Sequence, residues 1–114
     1  MRLREAGAYA LFLLQSKRIQ EVKSLLRKTI PVMRRVIGEF HHLTLATRAN
    51  YAVALYNDPD ATLDDLREAV TTLEEIGRIA RRVFGGAYPL VVELEDQVQE
   101  ARAALRARET LGTV

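Results

Sequence analysis

The same apolar pattern occurs twice along this chain of 114 residues, and a repeat of that length leaves few folds open. Shifted by 42 residues, Leu3 falls on Leu45, Tyr9 on Tyr51, Ala10 on Ala52 and Leu13 on Leu55. Shifted by 47, Ile19 falls on Leu66, Val22 on Ala69, Leu26 on Leu73 and Thr29 on Ile76. The same shift sets Val32 on Ile79, Val36 on Val83 and Gly38 on Gly85. The two offsets differ by five residues, and the difference lies around Asp58 to Thr62. His41-His42-Leu43 then matches Tyr88-Pro89-Leu90, so a third unit begins near residue 88. Steps of three and four place each matched set on one face of a helix. A helix with one apolar face must bury it, and hairpins stacked on one another do so at every repeat.

Periodicity predicts an all-α chain of five helices, at about Leu3–Gln15, Ile19–Ile37, Leu43–Tyr56, Leu63–Phe84 and Leu90–Arg108. The sharpest stripe is Leu66, Ala69, Leu73, Ile76, Ala80 and Val83. Thr62 reads as an N-cap, with Asp65 three residues on completing a capping box. Asp64, Asp65 and Glu68 suit the positive end of that helix dipole, and Arg78, Arg81 and Arg82 the negative end. Gly85 and Gly38 can take the positive φ that ends a helix. Asn57-Asp58-Pro59-Asp60 is a turn signal, and Pro89 suits a first helical turn. Pro31 falls inside the second helix, where its missing N–H and its ring predict a kink or a break near Thr29–Ile30.

Composition narrows the function classes. The 17 Lys+Arg and 15 Asp+Glu nearly cancel, leaving a net charge of +2 and no unbalanced cationic arm for a nucleic acid. With no Cys, disulfides, thiolate zinc sites and thiol nucleophiles are excluded. The longest uncharged apolar run, Ala6–Leu14, has nine residues, against the ~20 of a membrane-spanning helix. It does not read as a secretion signal either, because Glu5 interrupts the basic flank and no small-residue cleavage site follows. A cytoplasmic location is the expectation.

The unit resembles the tetratricopeptide repeat (TPR), in the roughly 42-residue form of the kinesin light chains. The small residue of that family's helix A corresponds to Ala10 and Ala52. The large-then-small pair of its helix B corresponds to Leu66 and Ala69, with bulkier Ile19 and Val22 in the first repeat. Its mid-helix apolar residue corresponds to Leu26 and Leu73. The junction after helix B is similar to Arg34-Arg35-Val36-Ile37-Gly38 running on to Leu45, and to Arg81-Arg82-Val83-Phe84-Gly85 running on to Leu90. Its His-Pro pair is incomplete both times: His42 stands for Pro, and Tyr88 for His. The resemblance implies antiparallel hairpins stacked as a short right-handed α-solenoid. Repeat one would span about 3–38, repeat two about 43–85, and a capping helix about 88–109. Gln99 and Arg102 are polar where a following helix would pack. The first helix is apolar on nearly every side, so a partner, a second copy or further repeats would cover it.

The resemblance also implies a non-catalytic module that holds an extended peptide in a groove lined by the A helices, where an Asn bonds the peptide backbone. Asn50 takes that place, Ala8 and Gln97 are its equivalents, and Arg48, Val53, Tyr56, Leu11 and Leu14 would flank it. The expected partner is a protein or peptide, with no nucleic acid, membrane, metal or cofactor. The alternative is a self-associating protein that dimerises through its apolar N-terminal helix. A weaker third reading uses Arg27, Lys28, Arg34 and Arg35 with the arginines of the fourth helix as an anionic contact. No nucleophile, base and orienting group assemble into a catalytic set. His41 and His42 are adjacent, so they point to different faces and make a poor metal pair.

Overall fold

The computed structural model describes the backbone of residues 3–112 and the side chains of residues 17–111. Among the described residues there are four helices and no strand: α1 (Leu3–Val36), α2 (His42–Asn57), α3 (Leu63–Phe84) and α4 (Pro89–Gly112). The all-α expectation holds, but the count of five does not. The two expected helices at about 3–15 and 19–37 are one helix of 34 residues. At 1.5 Å per residue it is about 51 Å long, which accounts for the 53 Å long axis of the molecule.

The fusion has a local cause. With the offset of 42, Gln15 matches Asn57; with the offset of 47, Ser16 matches Leu63. The residues with no counterpart in the first unit are 58–62, and those residues form the turn between α2 and α3. Asp58 turns the chain there, accepting the Asp60 N–H on Oδ1 at 2.9 Å. Its carbonyl accepts the Ala61 N–H at 3.0 Å. The capping box at Thr62 then starts α3. Nothing comparable stands between Gln15 and Ile19, so the helix continues.

The helix also runs through Pro31, so the break expected there does not occur. Thr29 Oγ1 donates back to the Leu25 carbonyl at 2.8 Å, and intact turns flank the proline on both sides. Gly38 and Gly85 do end α1 and α3 at φ +98° and +90°. At both positions the positive φ that an L side chain resists is met by the residue without a Cβ.

The core lies between α2, α3 and α4. Leu45, Ala49, Ala52 and Leu55 of α2 meet Ala69, Leu73, Ile76 and Ala80 of α3, with Leu90, Val91, Leu94, Val98 and Ala101 of α4. Alanines at Ala52, Ala69, Ala80 and Ala101 are fully covered and let the helix axes approach. Neighbouring helices alternate in direction. Arg48 of α2 reaches Glu75 of α3, and Arg81 of α3 reaches Glu95 of α4. Among the described residues α1 packs on α2 alone. The Arg27 Nε–H bonds Tyr51 Oη at 3.0 Å, and Lys23 reaches Asp58 at the far end of α2. The end of α2 is therefore level with Gln20 and Lys23, and the N-terminal half of α1 runs on past it.

Candidate functional site

Helix α2 packs against α1, α3 and α4 and leaves one remaining strip open. On the open face Asn50 is exposed and Val53 is half-buried, about 60° apart at 100° per residue. Tyr56 turns further toward α4, where its hydroxyl donates to Glu100 at 2.6 Å. Burial raises the Tyr56 pKa well above 10, and the bond to the Glu100 carboxylate raises it further. The neutral Tyr56 hydroxyl thus acts as the donor that ties α2 to α4.

That bond also sets the register of the two parallel helices. Three residues back from it, Gln97 of α4 is level with Val53 of α2. Gln97 occupies the α4 position equivalent to Asn50 in the repeat. Its Nε2 donates to Glu93 at 3.4 Å, and its buried Oε1 has no hydrogen-bond partner. Asn50, Val53 and Gln97, with the Tyr56–Glu100 bond, therefore form one polar-apolar surface across α2 and α4.

Arg48 is not part of it. It lies about 160° around α2 from Asn50, pairs with Glu75 at 3.3 Å and is nearly covered. There it lines a second groove, of about 240 Å³, with Ile30 and Pro31 of α1, Tyr51 and Thr72. Of the other predicted contact residues, Leu11 and Leu14 lie outside the residues whose side chains are described. A third groove, of about 310 Å³, runs between α3 and α4 over Gly77, Val91, Leu94 and Val98. Its rim carries the pairs Arg81–Glu95 at 2.7 Å and Arg102–Glu74 at 2.8 Å, with Arg78 beside them.

The two histidines separate into different tasks. His41 caps α2, its Nδ1 accepting the Leu43 N–H at 3.0 Å. His42 joins a ring cluster at the α3–α4 junction. Its Nδ1 lies 2.8 Å from Tyr88 Oη, and its ring meets Phe84 and Tyr88 edge-on. Among the described residues no group of three His, Asp or Glu side chains is placed to hold a metal ion. No described helix is long and apolar enough to cross a membrane.

One polar cluster was not singled out from the sequence. Lys23 Nζ sits 3.0 Å from Asp58 Oδ2, and Gln20 Nε2 donates to the same oxygen at 2.7 Å. Both members of the ion pair are buried, with side chains 7 % and 2 % exposed. Burial alone would raise the Asp58 pKa, but the bonds from the Asp60 N–H, Lys23 and Gln20 outweigh it and hold it below the usual carboxylate value. A signal was present: Lys23 falls on Val70 in the repeat, a charge where the other unit has a core residue. The cluster locks α1 to the α2–α3 turn and faces no open groove.

Comparison with protein-family models, with curated proteins and with solved structures finds no match to this chain.

Proposed function

We propose that this chain is a non-catalytic protein-interaction module that holds an extended peptide segment of a partner across α2 and α4. One observation carries the reading: the Gln97 Oε1 acceptor is buried without a protein partner, at the height of Val53 and beside the face that presents Asn50. A buried polar atom left unpaired costs about 1–3 kcal/mol, and a peptide N–H would supply the missing bond once the Gln97 carboxamide turns toward the surface. A carboxamide carries both donors and an acceptor, the complement of a peptide unit. Two carboxamides on parallel helices can therefore hold a backbone while Val53 contacts a side chain. The resemblance of the repeat to TPR units supports the same face, since Asn50 and Gln97 stand where that family bonds its peptides. Arg48 takes no part in this reading, because it is committed to Glu75.

The test is a random-peptide display selection on the wild-type chain, with the selected peptides measured again on variants. Asn50→Ala and Asn50→Ala/Gln97→Ala should weaken them at least tenfold, while Arg78→Ala on α3 should not. Peptides that bind all three variants as they bind the wild type would refute the groove.

A further inference from the structure

The α1 helix exposes an apolar stripe that its counterpart α3 has covered. Leu66, Ala69, Leu73 and Ile76 of α3 are all buried. Their counterparts on α1 are Ile19, Val22, Leu26 and Thr29, and none of them is buried. Val22 is 44 % exposed where Ala69 is 0 %, and Leu25 is 63 % exposed on the same face. Val32 and Val36 continue that face and are exposed, as is Val83, the α3 counterpart of Val36. The stripe from Val22 to Val36 carries no charge and steps by three and four.

What covers the α3 stripe is α2. The repeat assigns the same task for α1 to residues 3–13, whose Leu3, Ala10 and Leu13 match Leu45, Ala52 and Leu55 of α2. Within one chain that segment cannot reach. The five turn residues 58–62 have no counterpart between Gln15 and Ser16, and the helix is continuous there. Ala10 therefore lies twelve residues from Val22, about 18 Å along the same axis. A hairpin that has lost its turn can still make its contacts if two copies exchange the arm.

We infer that two copies of this chain pair their α1 helices antiparallel, so that residues 3–14 of each lie along residues 19–30 of the other, over the exposed Val22 and Leu25. The two-fold axis passes near Ser16 and Lys17, the point where the missing turn would have been. Each helix half offers a strip about 18 Å long and 10 Å wide. Four such strips amount to roughly 700 Å², the size of a small, reversible interface. Nine uncharged residues, Ala6–Leu14, meet the uncharged face of Val22, Leu25 and Thr29, and Lys17 and Arg18 flank the two-fold axis. The face formed by Asn50, Val53 and Gln97 is on other helices, so the dimer and the peptide reading stand or fall separately.

Sedimentation equilibrium on the intact chain should give a mass twice 12.9 kDa at micromolar concentration. Leu25→Glu and Val22→Glu/Leu25→Glu should return it to the monomer mass with the α2–α4 core intact, because both side chains are exposed and neither belongs to that core. The chain has no cysteine, so Ala10→Cys/Val22→Cys with a short bismaleimide reports the arrangement directly. Crosslinks between chains are expected. A wild-type monomer, a dimer indifferent to both glutamate variants, or a crosslink formed within one chain would each overturn the exchange.

Discussion

Removing the ammonium of Lys23 tests how α1 is held to the rest of the protein. At 3.0 Å from the Asp58 carboxylate, the pair is worth about 5–6 kcal/mol of Coulomb energy at an effective dielectric of ~20. Desolvating each ion costs several kcal/mol, so the intact pair comes near to break-even. The loss of one partner does not. Lys23→Met would leave a buried carboxylate held only by Gln20 and the Asp60 N–H, a loss of about 3 kcal/mol at pH 7. Lys23→Met/Asp58→Asn should cost at least about 2 kcal/mol less than the sum of the two single changes, since no ion is then stranded. Urea unfolding followed by circular dichroism at 222 nm reads all four proteins. The pH dependence is a second readout. The Asp58 pKa is lowered in the folded chain, so its contribution is complete above the unfolded carboxylate value of about 4. It disappears as pH falls through the lower folded value. The stability gap between wild type and Asp58→Asn should therefore close under acid. A Lys23→Met loss below about 0.5 kcal/mol, or additive single changes, would show that the pair does not anchor α1.

Two further substitutions probe the helices themselves. Leu73→Ala, at the fully buried centre of α3, should cost about 3 kcal/mol in the same urea assay, within the 2–5 kcal/mol of core truncations. Pro31→Ala should stabilise the chain, because it restores a backbone donor at an exposed position inside α1. The gain is bounded by the ~3 kcal/mol propensity difference between the two residues, and a lower thermal midpoint for Pro31→Ala would contradict an unbroken α1.

The helical class, the α3 stripe and the chain's punctuation could all be read from the residues. Thr62 with Asp65, Gly38, Gly85 and the Asp58 turn depend on local chemistry within four residues, and the structure has them in place. The candidate site was legible only in part. Asn50 and Gln97 share a repeat position, and the structure sets them on two parallel helices, α2 and α4. Arg48 sits two residues from Asn50 in sequence but on the opposite side of the helix, where Glu75 of another element claims it. The Lys23–Asp58 pair joins residues 35 apart, and that closeness exists only once α1 has docked against α2.

Helix number was the point at which two kinds of signal disagreed. Periodicity counts apolar faces. Residues 3–15 and 19–36 carry different faces in the repeat, so they read as two helices. Helices are ended by something more local: a residue that takes positive φ, a missing N–H, or a side chain that bonds its own backbone. Residues 37–41 and 85–88 hold glycine, and 57–62 hold Asp, Pro and Thr. Gln15-Ser16-Lys17-Arg18 holds three good helix formers and a tolerated Ser. Continuing the helix there costs nothing locally, whereas reversing it would need turn residues that the segment lacks. The penalty for continuing falls on tertiary structure, as the uncovered stripe from Val22 to Val36. In the proposed dimer, the contact that the fused helix leaves unmet inside one chain would be made between two.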